Sequence, residues 1–139
     1  MEFARQVAAL PVRRQPDGSL WVLLVTSRET KRWVIPKGWP WPDLEDCSAA
    51  AEEAREEAGV VGQAHVESIG FYTYVKRRPT GPIPVRVTVY LLEVAEELTS
   101  WPESGQRKRS WFDVSVAAAA VEEPELKDLL LQFASGTSS

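Results

Sequence analysis

Residues 38–60 read GWPWPDLEDCSAAAEEAREEAGV, and this stretch falls into a loop and a helix. Gly38 to Asp43 is rich in Pro, Gly and Trp and reads as irregular loop. Residues 47–58 (CSAAAEEAREEA) are mostly Ala and Glu, both strong helix formers. Gly59 follows in the position of a C-cap. Ala50, Ala54 and Ala58 recur every four residues, so one helix face is narrow enough to lie close on a sheet. Glu53, Glu56 and Glu57 are three and four residues apart and project together. Like charges at that spacing cost roughly 0.2–0.5 kcal/mol per pair. A structural helix has little reason to accept that cost. A divalent cation removes it, and hard Mg²⁺ prefers carboxylate oxygens together with waters and phosphates. The plainer reading is an acidic surface helix laced by Arg55.

The flanking sequence is β-rich. Gln6 to Val12 and Leu20 to Thr26 (LWVLLVT) read as two strands around a Gln-Pro-Asp-Gly-Ser turn, the second buried on both faces. Trp33 to Ile35 is a short strand stopped by Pro36, and Pro36 to Asp43 is the loop already described. Val66 to Lys76 and Val85 to Ala95 are strands joined by RRPTGPIP, whose prolines exclude regular structure. Val85, Val87 and Val89 alternate with Arg86, Thr88 and Tyr90, which turns Arg86 away from the core. Ser110 to Val114 is a last strand. Val116 to Val121 and Glu125 to Phe133 form a terminal helix pair, with Gly136 to Ser139 as a frayed tail. Strands around one central helix, with helices at the end, predict a single α/β (α+β) domain over 1–139, an α/β/α sandwich with a mixed β-sheet.

Composition narrows the chemistry. The chain has 139 residues, 44% apolar and 26% charged, which excludes a disordered chain. No apolar run approaches the ~20 residues of a membrane span. The N-terminus lacks the layout of a secretory signal, and with the lone Cys47 this predicts a cytoplasmic protein. One Cys and one His, Cys47 and His65, exclude a disulfide, a zinc cluster and a two-His metal site. Carboxylates remain as the plentiful catalytic groups. Acids concentrate in Asp43–Glu57 and Glu122–Asp128, and bases at 13–14, 31–32, 76–78 and 107–109. Separate blocks of opposite sign suit a metal held against a polyanion, and the net charge of −4 makes nucleic acid an unlikely partner.

The central stretch resembles the Nudix hydrolases, whose box is G-x5-E-x7-R-E-U-x-E-E-x-G-U with U aliphatic. Here Gly38 leads to Leu44 and then to Glu52-Glu53-Ala54-Arg55-Glu56-Glu57-Ala58-Gly59-Val60, so the box spans 38–60. Seven of nine fixed positions match. Leu44 replaces a Glu, with Glu45 adjacent, and Glu52 replaces an Arg, which Arg55 one turn on could supply. Arg32-Trp-Val-Ile-Pro-Lys-Gly38, Trp101 and Gly105-Gln-Arg-Lys-Arg-Ser-Trp-Phe112 resemble the diphosphoinositol polyphosphate phosphohydrolase and diadenosine polyphosphate hydrolase branch.

That resemblance implies a metal-dependent pyrophosphohydrolase acting on a highly phosphorylated small molecule. Glu53 and Glu57, with the backbone carbonyl of Lys37, would hold Mg²⁺, or Mn²⁺ in its place. Glu56 would be the general base. Arg28, Gly38, Arg86, Arg107, Lys108 and Arg109 would bind substrate. Along the Arg107–Arg109 triplet, alternation puts Arg107 and Arg109 on one face and Lys108 on the other. Lys76-Arg77-Arg78 reads as solvated charge, and Trp39 and Trp41 as a rigid loop packed on the helix or, alternatively, as rings that stack on a base or shield the site. His65 and Cys47 read as structural. The chain would be a monomer or homodimer. Two alternatives stand beside this reading: a Nudix-fold sensor that binds nucleotide without turnover, and an RNA 5′-end pyrophosphohydrolase.

Overall fold

The computed structural model describes residues 2–137. Eight strands form one sheet: β1 (Ala4–Arg14), β2 (Leu20–Thr26), β3 (Trp33–Val34), β4 (Lys37–Gly38), β5 (Val60–Ala64), β6 (Gly70–Lys76), β7 (Ile83–Glu97) and β8 (Arg109–Asp113). Among the described residues three helices accompany it: α1 (Asp46–Ala58), α2 (Val114–Ala120) and α3 (Pro124–Thr137). The strand order is β3-β2-β1-β7-β5, with β4 added to β1, β6 to β7 and β8 to β2. β1 and β7 are parallel and the other pairs antiparallel, so the sheet is mixed.

The two-residue period of the strands separates two cores. Val7 and Ala9 of β1, with Leu23 and Val25 of β2, pack against Ala49, Ala50, Ala54 and Ala58 of α1. Ala8, Leu10 and Val12, with Val22 and Leu24, face Leu126 and Leu130 of α3 and Ala117 of α2. One helix therefore covers one face and two cover the other, as the α/β/α sandwich requires. The alanine stripe brings α1 down onto the sheet; a larger side chain there would overpack the interface by about 1–3 kcal/mol. Gly59 ends α1 with φ 66°, and its N–H donates to Arg55 O. A Cβ on Gly59 would also strike the Trp101 indole at 2.5 Å.

Several boundaries differ from the sequence reading. Val60–Ala64 is a full strand, β5, because it finds the C-terminal half of β7 as partner. Residues 66–69 are loop, and β6 begins at Gly70. Ile83 and Pro84 of the proline-rich linker already belong to β7, opposite Lys76 and Val75. α2 begins at Val114 because the Asp113 carboxylate accepts the Ser115 N–H at 3.0 Å. Gly136 and Thr137 continue α3 rather than fraying; Ser138 and Ser139 of the expected tail lie outside the described residues. Among those residues no helix is long and apolar enough to cross a membrane.

Candidate active site

Pairing of β4 with β1 (Lys37↔Ala8, Gly38↔Val7) carries the loop 37–42 across the last turns of α1. There an open cavity of about 500 Å³ collects Arg28, Lys37, Gly38, Glu53, Glu57 and Arg107, with Gln6, Trp39, Trp41, Tyr74, Lys76 and Glu103 also at its walls.

Glu57 is the centre of this arrangement and is 7% exposed. Its Oε1 accepts the Lys37 backbone N–H at 3.3 Å, and its Oε2 lies 3.8 Å from Arg107 Nη2. Burial pushes the Glu57 carboxyl up to about 7, against the opposing pull of Arg107 and Lys37. Glu53 is also raised, chiefly by burial, while a hydrogen bond from Trp41 Nε1 at 3.0 Å acts the other way. The Glu53 carboxylate lies directly over Gly38, where any Cβ would sit 2.3 Å from its Cδ. Burial also lowers the Lys37 ammonium, although Glu57 favours its charge. Its Nζ stands 5.0 Å from the centre of the Tyr74 ring. Tyr74 donates its hydroxyl to Gln6 Oε1 at 2.8 Å.

Arg107 ties the site to the sheet. Its Nε meets Glu103 Oε1 at 2.6 Å, and its Nη1 donates to Thr26 O at 3.1 Å. One guanidinium thus joins the edge of β2, the loop before β8 and the helix carboxylate. Such a fork can engage two carboxylates where a lysine could not.

The structure brings together Arg28, Lys37, Gly38, Glu53, Glu57 and Arg107 of the residues expected from sequence. It separates the rest. Glu56 is half-buried outside the lining, and its carbonyl accepts the Glu103 N–H. Arg86 is exposed on the sheet, between the rings of Phe3 and Phe71. Arg109 points toward the end of α1, where its guanidinium is taken up by Ala58 O, Gly59 O and Leu98 O and stacks on Trp101. Lys108 faces a second cavity. Arg86, Lys108 and Arg109 are therefore corrected as residues of this cavity.

Lys76, Glu103, Gln6 and Tyr74 are among the lining residues that sequence reasoning missed. Lys76 shares the face of Tyr72 and Tyr74 by period-two spacing, a signal that outweighs its basic neighbours. Glu103 stands four residues before Arg107, the spacing of a local ion pair. Gln6 and Tyr74 carried no sequence signal. Trp41 is more than loop packing, because its indole N–H holds Glu53.

A family model described as NUDIX domain matches residues 3–133. The chain belongs to the NUDIX family. It is 33% identical over 122 residues to diphosphoinositol polyphosphate phosphohydrolase 2 of Rattus norvegicus, covering 86% of this chain and 64% of that protein. It is 34% identical over 122 residues to diphosphoinositol polyphosphate phosphohydrolase 3-alpha of Homo sapiens, covering 86% and 70%. The chain thus spans under two thirds of the rat protein's length. The fold superimposes on an Ap4A hydrolase of C. elegans with TM-score 0.67 at 20% identity, covering 96% and 98% of the two chains. Within the Nudix box, both departures lie off the cavity. Leu44 is exposed, and Glu52 pairs with Arg55 at 3.1 Å.

Among the described residues no group of three or more His, Cys, Asp or Glu is drawn together as a metal cage. The donor set nonetheless fits Mg²⁺. That ion is commonly held by one or two carboxylates, with waters and substrate phosphates completing its shell. Glu53 and Glu57 are two such carboxylates opening on one cavity.

Proposed function

We propose that the chain is a Mg²⁺-dependent Nudix pyrophosphohydrolase that cleaves a diphosphate in a diphosphoinositol polyphosphate or a dinucleoside polyphosphate. The observation that carries this reading is one cavity lined both by the carboxylates Glu53 and Glu57 and by the cations Arg28, Lys37, Lys76 and Arg107. Carboxylates there suit a metal and cations suit phosphate oxygens. The box departures at Leu44 and Glu52 touch neither wall, which favours the enzyme over the sensor.

Glu53 and Glu57 would hold the cation, with the Lys37 carbonyl. When bound, the cation supplies charge neutralisation on phosphoryl oxygens and a more acidic water. Gly38 leaves room for the Glu53 carboxylate, and Trp41 orients it. Arg107 holds Glu57 in place and Arg28 reaches the substrate. Glu56, outside the cavity lining but close enough to Glu53 for their charges to oppose, would take the proton of the attacking water. Cytoplasmic residence is consistent with the free, buried Cys47.

The test is release of phosphate or nucleotide from diphosphoinositol polyphosphates and diadenosine polyphosphates, with Mg²⁺ or Mn²⁺ and with chelator. Metal-dependent turnover that Glu57→Gln abolishes is the expected result. Folded wild-type protein that binds these ligands and turns none over would replace the enzyme by the sensor. Glu56→Gln should lower kcat on the order of 100-fold in folded protein; an unchanged kcat would move the base elsewhere.

A further inference from the structure

Glu123 is a buried carboxylate that the reaction described above does not use. Its Oε2 accepts a hydrogen bond from Arg32 Nη1 at 2.5 Å, and its side chain is nine-tenths buried. Its Oε1 is the one buried side-chain polar atom among the described residues without a hydrogen-bond partner. A carboxylate oxygen left in that state is costly, and the ion pair with Arg32 does not satisfy it.

The place of Glu123 is fixed from several sides. It directly precedes Pro124, the first residue of α3, and its carbonyl accepts the Lys127 N–H at 3.0 Å as the helix begins. Two residues on, the Glu125 carboxylate accepts the N–H and the hydroxyl of Thr73 on β6 at 2.6 and 2.7 Å. Arg32 is clasped in turn by Ser27, whose N–H donates to Arg32 O at 2.8 Å and whose hydroxyl accepts the Arg32 N–H at 3.2 Å. The start of α3 is therefore pinned to the β2–β3 turn by Glu123 and to β6 by Glu125.

The charge held there acts on Lys37. Four charged groups bear on the Lys37 ammonium: Glu57 and Glu123 attract it, while Lys76 and Arg107 repel it. The Glu123 charge is also felt at Tyr72 and Tyr74, and Lys37 Nζ lies 5.0 Å from the centre of the Tyr74 ring. Glu57 pulls the more strongly of the two acids. It is also within reach of the Lys37 side chain, since its Oε1 already accepts the backbone N–H of that residue. An ammonium paired with Glu57 would occupy a carboxylate that a divalent cation needs.

We infer that Glu123 is a positioning residue: its buried carboxylate draws the Lys37 ammonium toward Tyr74 and away from Glu57, which leaves Glu57 open to a divalent cation. The inference rests on the reading of Glu53 and Glu57 as the metal site. It also accounts for the unpartnered oxygen, whose charge is set against an ammonium rather than taken up by a hydrogen bond.

The experiment measures Mn²⁺ binding without substrate, by calorimetry, in wild type, Glu123→Gln, Lys37→Met and Glu123→Gln/Lys37→Met. Glu123→Gln keeps the side-chain volume and an acceptor for Arg32 while removing the charge. Its Kd for Mn²⁺ should rise about tenfold, the scale on which groups behind a metal ligand act. In the Lys37→Met background the same change should move Kd by less than about twofold, because no ammonium remains to occupy Glu57. An equal loss in both backgrounds would mean general support of the fold and would overturn the inference, as would no loss in Glu123→Gln. Should Glu123→Gln fail to fold, Arg32→Gln/Glu123→Gln removes both charges of the pair and carries the same expectation. A crystal structure of metal-free Glu123→Gln separates these outcomes from failure of the metal reading. Lys37 Nζ within about 3.5 Å of a Glu57 carboxylate oxygen would support the inference even where wild type binds no Mn²⁺. An Nζ that stays over the Tyr74 ring would overturn it.

Discussion

The Glu53 carboxylate occupies the space that a side chain at Gly38 would need: a Cβ there would lie 2.3 Å from Glu53 Cδ and 2.4 Å from Oε1. The glycine that opens the box and the carboxylate fifteen residues later are therefore one feature. Gly38→Ala should displace Glu53 while the core stays intact. Metal-dependent turnover should drop on the order of 100-fold, as about 1 Å of misplacement can cost, with the circular dichroism spectrum unchanged. Retained turnover would remove Glu53 from the metal site.

Glu57 links stability to pH. Its carboxyl is pushed from 4.5 to about 7 by burial. Between those values the folded protein binds the proton more than the unfolded chain does. The unfolding free energy of the metal-free protein should therefore decline as pH rises from 4.5 to 7, by roughly 3 kcal/mol at most. A divalent cation held by Glu57, as proposed, would displace that proton, so its affinity should rise over the same window. Urea unfolding in chelator at several pH values checks this. Glu57→Gln should flatten the profile; an equally steep profile in that variant would assign the slope to other groups.

Arg107 is about nine-tenths buried and faces Glu57 and Glu103 together. Arg107→Ala leaves two carboxylates near each other without their cation. A loss of about 3 kcal/mol is expected, the scale of breaking a buried pair. Arg107→Lys should recover little, because an ammonium cannot span both carboxylates and Thr26 O. Chemical denaturation measures both; a loss below about 0.5 kcal/mol would mean the pairing is solvent-screened.

Arg109 should behave differently. Its guanidinium serves Ala58 O, Gly59 O and Leu98 O, carbonyls at the end of α1 and the end of β7. Arg109→Ala should lower stability by about 2 kcal/mol and leave the KM for substrate within about twofold. A tenfold rise in KM at unchanged stability would return Arg109 to the substrate site.

Where a property is local along the chain, it was legible without the fold. The helix over 47–58 is seen at Asp46–Ala58, Gly59 is its C-cap, and the outward face of Arg86 follows from a two-residue period, whereas Arg107 and Lys108 precede β8 and follow no strand period. Sharing a face is not the same as sharing a cavity. Arg109 leaves the first cavity because Ala58 O and Gly59 O at the end of α1 and Leu98 O after β7 take up its guanidinium. Lys76 enters the cavity because β7 pairs with β1 along one edge and with β6 along the other, so that Tyr74 reaches across it to Gln6. No window of residues 70–78 contains that information.

The sequence by itself determined the helix, its cap, the alanine face that seats it and the carboxylate spacing at Glu53 and Glu57, because each is set by neighbours within a few residues. It determined the family for the same reason, since the box is one continuous segment. Tertiary structure alone decided which charges face one another. Arg107 meets Glu57 across 50 residues of chain, and Trp33 comes to share a cavity with Lys108, only because β8 pairs with β2 and β2 with β3. Burial was decided there too. The same carboxyl that would titrate near 4.5 in water is held near 7 by the low-dielectric surroundings that packing creates.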